Sequence, residues 1–171
     1  RERKINKKYL VYGRADFIAK NEDIISDFKK LGLRTVIVGL ESFSDDELNT
    51  FNKLTSSNIN EQCMRVLNKN GVDCYAACIC SPDWDAARFN LMAEKLIELG
   101  VKFVNLQPLT PLPGTGIKVN DEDLVIDRKD YPKWDLAHVA IRPQKMGLDE
   151  YYWNIINLYK KVTFCFKHVL T

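Results

Sequence analysis

An α/β fold built from parallel strands is what this sequence predicts, on two observations. Short β-branched or aromatic runs alternate with amphipathic segments that end at glycine. Each connection is also long enough for the crossover that parallel strands require. Four such strands, joined right-handedly, make half or more of an open or closed α/β barrel. A chain of 171 residues suits one domain that buries roughly 70% of its unfolded surface.

The elements follow in order. YLVYGR (9–14) reads as a strand. Asn21, with Glu22 and Asp23 in the first turn, opens a helix whose Ile24, Ile25, Phe28 and Leu31 share a face, and Gly32 stands just past its end. TVIVGL (35–40) is apolar on both faces, the pattern of a strand covered on both sides. Ser44, Asp45, Asp46 and Glu47 form a capping-box pattern for a short helix through about Asn52. Another helix runs from Asn58 to Asn70, with Ile59, Cys63, Val66 and Leu67 inward and Gly71 as its stop. VDCYAACIC (72–80) is the next strand, Ala86 to Leu99 a helix of good helix formers, and KFVNLQPL (102–109) a fourth strand. Beyond it TPLPGTGIK is turn-rich, and 118–135 is a polar excursion loop. LAHVAIRP (136–143) is a candidate further strand, and Leu148 to Val169 a long closing helix rich in aromatics.

Composition narrows the function classes. Hydrophobic residues make up 46% and charged residues 28%, which excludes a disordered or fibrous chain. Twenty-five Lys and Arg against 23 Asp and Glu leave a formal charge of +2, with the basic residues clustered only in RERKINKK (1–8). That balance argues against a nucleic-acid partner. No 18-residue apolar stretch or signal-peptide pattern occurs, so no membrane span and a cytoplasmic location are expected. The chain starts at Arg1, directly before a strand-like run, and is expected to be a piece of a longer polypeptide.

Five cysteines without an export signal argue against a disulfide framework. Cys74, Cys78 and Cys80 follow a C-x3-C-x-C spacing. On a strand, Cys74 and Cys78 stand roughly 13 Å apart although all three share a face, too far to converge on one small cluster. They are expected to pack in a barrel interior. LPGTG (112–116) matches a sortase signal but lacks the apolar span and basic tail that should follow, so it reads as a turn. Both glycine-rich phosphate loops are missing.

Polar residues gather where the strands end. Arg14 and Asp16 share a face if the first strand extends that far, Glu41 ends the second, and Gln107 lies near the end of the fourth. In parallel α/β folds ligands sit at the carboxyl ends of the strands, so these side chains are expected around one mouth.

Taken in order, GRAD (13–16), VIVGLES (36–42), Asn52-Lys53 with Thr55, and LQPLTPLPGT (106–115) resemble the second part of a radical S-adenosylmethionine domain. WDLAHVAIRPQKM (134–146) and YYWNIINLYKK (151–161) are similar to the tail of its cobalamin-associated branch. The resemblance spans almost the whole chain. It implies a partial (β/α) barrel over 1–117, corresponding to family strands three to six, and an extension with a long helix over 118–171. It also implies a [4Fe–4S] cluster, held by C-x3-C-x2-C, that reduces S-adenosylmethionine to a 5′-deoxyadenosyl radical, with cobalamin an option in the parent. That cysteine motif does not occur here, so the missing N-terminal half of the parent is the implied partner of this piece, which alone is expected to be inactive.

By the same resemblance, Glu41 accepts from the ribose hydroxyls and Lys53 pairs with the methionyl carboxylate. The family pattern G-x-I-x-G-x-x-E falls on Ala77, Ile79, Ser81 and Trp84, which places Ile79 against the adenine and exchanges both glycines and the acid. Gln107 faces adenine or substrate. The second hypothesis is a cluster-free α/β module that binds a nucleotide or a partner at the same mouth; a C-x3-C-x2-C motif upstream in the reading frame separates the two. If two strands precede residue 9 in the parent, the strand at 9–14 becomes a free sheet edge, and a homo-oligomer of the fragment is expected.

Overall fold

A computed structural model of the chain describes residues 7–50 and 56–165. Four strands, β1 (Tyr9–Gly13), β2 (Leu33–Glu41), β3 (Asp73–Cys80) and β4 (Phe103–Pro108), form one sheet in the order β1-β2-β3-β4. All three pairings are parallel, so the expected α/β architecture is present. The connections carry helices α1 (Ala15–Lys20), α2 (Glu22–Lys30), α3 (Asp45–Thr50), α4 (Ser57–Lys69) and α5 (Ala86–Glu98), and α6 (Leu148–Thr163) follows the last strand.

Local chemistry sets the boundaries. Ser56 Oγ accepts from Ile59 N at 3.3 Å and caps α4, and Asp85 Oδ1 accepts from Arg88 N at 2.8 Å and caps α5. Gly32 turns the chain from α2 into β2 at φ +111°, where a Cβ would stand 2.1 Å from Lys7 O, so glycine alone fits.

The core lies on one side of the sheet. Val36, Val38 and Leu40 of β2, Cys74, Ala76, Cys78 and Cys80 of β3, and Val104 and Leu106 of β4 are buried there. Ile18, Ile25, Met64, Leu67, Phe89, Leu96 and Leu158 from the helices complete the same cluster. The opposite face of β2 to β4 is only partly covered. This corrects the reading of β2 as covered on both sides. It also corrects the placement of the cysteines: they face the helix layer, not a barrel interior, because their shared parity is that of Ala76.

The tail is tied to the end of β3. Tyr151, buried on α6, donates its hydroxyl to Cys80 O at 2.9 Å and Ser81 O at 3.0 Å. Its ring meets Phe89 edge-on at 5.2 Å, and Phe89 meets Trp84 edge-on at 5.0 Å. Tyr159 on the same helix accepts from Leu106 N at 2.8 Å and occupies the outer edge of β4.

Other expectations need correction. The first strand ends at Gly13 and Asp16 belongs to α1, a short helix the glycine-to-glycine rhythm conceals. Phe28 and Leu31 are 52% and 66% exposed because α2 buries only Ile25. The 136–143 segment adds no strand to the sheet; Ile141 makes a single antiparallel bridge to Leu124 and so pins the excursion loop. The closing helix is described through Thr163, and the remainder of its expected span from 166 onward lies outside the described residues.

Replacing Tyr151 by Phe keeps the edge-on ring contact and removes one of two donors from each of two buried carbonyls, Cys80 O keeping Leu109 N and Ser81 O keeping Trp84 N. The unfolding free energy is expected to fall by about 1–2 kcal/mol, read from urea denaturation followed by circular dichroism.

Candidate functional site at the carboxyl ends of the strands

Register and parity define the open face. Tyr12, Ile37, Tyr75 and Phe103 pair in one row across all four strands. Toward the carboxyl ends come Gly39, Ala77 and Asn105, then Ile79 and Gln107. Glu41 pairs with Cys78 through a bulge, between these two rows. A Cβ on Gly39 would lie 2.7 Å from Glu41 Oε1, so the carboxylate is folded over the open face. With strands about 4.8 Å apart, Glu41 and Gln107 stand about 10 Å from each other across the sheet.

Glu41 occupies a costly backbone conformation. Its φ is +60°, in the left-handed region. Ser42 N donates to Leu40 O at 2.7 Å and closes a γ-turn around it. The buried Asn60 side chain enforces this turn, its amide donating to Leu40 O at 2.7 Å and Ser42 O at 2.9 Å. A helix residue thus clamps the carbonyls on either side of Glu41.

Just beyond lies a second polar group that the spacing of residues does not reveal. Glu47 accepts from Trp84 Nε1 at 2.7 Å, from Arg88 NH2 at 3.0 Å and Nε at 3.3 Å, and from Ser42 Oγ. Ser42 Oγ also accepts from Ser44 N at 3.0 Å, so the expected Ser44–Glu47 capping box gives way to a link between α3 and α5. Burial raises the Glu47 carboxyl, but the hydrogen bonds from Arg88, Ser42 and Trp84 outweigh it and leave the group below its ordinary value. Both carboxylate oxygens are saturated, so Glu47 braces the site and is not free to titrate in catalysis.

The remaining expected residues separate. Arg14 and Asp16 form a bidentate pair, both contacts at 3.0 Å, at the surface beyond β1; such exposed pairs add little stability. Arg14 holds the Asp16 carboxyl below its usual value. Ser81 is buried in the turn after β3, where its Oγ accepts from Asp83 N at 3.3 Å and its carbonyl takes the Tyr151 hydroxyl. Lys53 lies outside the described residues. Glu41, Ile79 and Gln107 therefore stand together on the open face, and Ser81 does not reach it. Asn105 and Tyr75 were legible in principle, since they share the parity of Gln107 and Ile79.

No protein-family model matches the chain. In sequence it is similar to a hopanoid C-3 methylase of Methylococcus capsulatus, 29% identical over 161 residues, 92% of this chain and 31% of that protein. In structure it is similar to the Elp3 protein of the archaeon Methanocaldococcus infernus, with a TM-score of 0.63 at 16% identity, covering 90% of this chain and 32% of the other. A looser alignment, with a TM-score of 0.49 at 15% identity over 94% of this chain and 19% of the other, is to the cobalamin-dependent S-adenosylmethionine radical enzyme OxsB with aqua-cobalamin and S-adenosylmethionine bound. The chain spans less than a third of the length of the methylase and of Elp3.

The small residues of the open face suit close approach of a ligand at one position: Gly39 is overlain by the Glu41 carboxylate, and Ala77, beside it in the register, sets no bulky side chain between Glu41 and Gln107. Cys63, Cys74, Cys78 and Cys80 do not suit an iron–sulfur cluster. They are buried in the core, burial raises the Cys63 thiol to about 12, and it also pushes up Cys74, Cys78 and Cys80; Cys165 is half-buried, and no group of three metal-ligating side chains gathers among the described residues.

Glycine at position 41 adopts φ +60° without the steric cost. Glu41→Gly is expected to raise the unfolding free energy by about 1 kcal/mol, measured by urea denaturation, while Asn60→Ala lowers it. A Glu41→Gly variant less stable than the parent would show that the turn is unstrained.

Proposed function

We propose that this chain is the portion of a radical S-adenosylmethionine enzyme that walls the nucleoside part of the cofactor and the entry to the substrate site. Glu41 carries the reading: Asn60 holds its backbone in a costly turn, and its carboxylate lies over the open face, one residue short of the row of Ile79 and Gln107. Backbone strain that surrounding groups enforce concentrates at functional positions.

As an acceptor-only group, the Glu41 carboxylate suits two ribose hydroxyls. Ile79 offers an apolar edge to adenine, and the Gln107 amide offers both a donor and an acceptor to base or substrate. Lys53 is the partner for the methionyl carboxylate, as a point charge without the fork of arginine. When bound, S-adenosylmethionine supplies the radical chemistry on reductive cleavage, and the residues here orient it and exclude water. The cluster, and cobalamin where it is used, belong to the rest of the protein. Residues 1–117 are the barrel portion in this reading and 118–171 a substrate-side extension. Similarity to a methylase over 92% of the chain supports methyl transfer as the reaction class.

Without the cluster, affinity rests on the nucleoside alone. Titration of the isotopically labelled chain with 5′-deoxyadenosine is expected to shift resonances of the open face with a dissociation constant of about 1 mM, and Glu41→Gln weakens it several-fold. Shifts confined to the helix-covered face would discard the assignment.

The same reading gives β1 a neighbour. Tyr9, Leu10 and Val11 are at least 41% exposed and Tyr12 is 83% exposed, so both faces of this strand are open. In the parent the rest of the barrel is the partner; in the isolated chain a second copy takes its place. Light scattering at high micromolar concentration is expected to give a mass well above the 19.8 kDa of one chain; a mass that stays there would mean the edge tolerates solvent.

A further inference from the structure

We propose that Arg88 is a positioning residue for Glu41 and gives the site its preference for a ribose over a 2′-deoxyribose; the inference rests on the reading above. Arg88 stands in the first turn of α5, where its N–H donates to the Asp85 cap at 2.8 Å. Its guanidinium reaches from there to the loop after β2.

Arg88, Glu47 and Ser42 close a triangle of hydrogen bonds. Nε and Nη2 of Arg88 meet the two oxygens of Glu47 at 3.3 and 3.0 Å, and Nη2 also donates to Ser42 Oγ at 3.3 Å. Ser42 Oγ donates in turn to Glu47 and accepts from Ser44 N at 3.0 Å. The side chain of the residue that follows Glu41 is thereby fixed by three partners. Asn60 clamps the carbonyls on either side of Glu41; the triangle holds the next residue from the side of α5.

Enclosure makes this more than a surface pair. The Arg88 and Glu47 side chains are 23% and 20% exposed, and taking two charges out of water is costly unless the geometry and further hydrogen bonds repay it. What the pair returns is shape: a planar fork meets both oxygens and the hydroxyl at once, which an ammonium does not. The guanidinium also lies 5.6 Å over the Trp84 ring, so the turn after β3 and the turn after β2 share one frame. Ile79 precedes the first of these turns and Glu41 opens the second, and the frame sets the reach from the apolar contact for the base to the carboxylate for the sugar. A carboxylate that must meet two vicinal hydroxyls tolerates a displacement of only about 0.5 Å.

Titrating the isotopically labelled chain with 5′-deoxyadenosine and with 2′,5′-dideoxyadenosine reads the ratio of the two affinities. The unaltered chain is expected to favour the ribonucleoside about fivefold. Arg88→Lys and Arg88→Ala should each bring that ratio to within about twofold of unity. Ser42→Ala removes the hydroxyl and leaves the Arg88–Glu47 pair in place; it should have the same effect, and it carries the test if an Arg88 variant does not fold. A purely structural Arg88 would weaken both nucleosides by the same factor and keep the ratio. A ratio kept in these variants overturns the inference and leaves the reading of Glu41 standing, whereas an unaltered chain without preference overturns both.

Discussion

Sheets made only of parallel strands ordinarily have both faces covered, and here the helices α1, α2, α4, α5 and α6 build their core against one. The rest of the structure follows from that imbalance. Alternation along β2, β3 and β4 sends valine, leucine, alanine and cysteine to the covered side and leaves isoleucine, tyrosine, asparagine and glutamine on the other. The open face is half-apolar and half-polar, which is the composition of a binding surface rather than of a solvated one.

Much of this architecture was legible because period and punctuation agree. Helices α4 and α5 and all four strands lie within a few residues of where apolar spacing and terminal glycines put them. What was not legible depended on contacts distant in sequence. Whether β2 buries one face or two is decided by which side the helices take, and an apolar run such as TVIVGL carries no mark of that. The same holds for the cysteines, whose common face could be assigned but not its direction. At the site, Glu41 and Gln107 were found from strand-end position. Arg14 and Asp16 were not joined to them, since two opposite charges two residues apart satisfy each other first.

Trp84 stands where the resembled pattern has an acid. An acid at that position would set a second negative charge beside Glu47. The indole instead donates to Glu47, meets Phe89 edge-on and lies 5.6 Å beneath the Arg88 guanidinium. One side chain therefore links α3, α5 and, through Phe89, the α6 tail. Asn60 does similar work one layer down, and between them the loop after β2 is held from both sides while Glu41 remains outward.

The two borders of the sheet are unlike. At β4 the Tyr159 hydroxyl sits on the backbone of Leu106, whereas β1 is bare on both faces. Growth of this sheet thus has a direction. In the pairing of two β1 edges proposed above, each far end would carry a β4 border at which Tyr159 occupies the backbone of Leu106. A single phenol on the last helix stands where a further strand would have to dock.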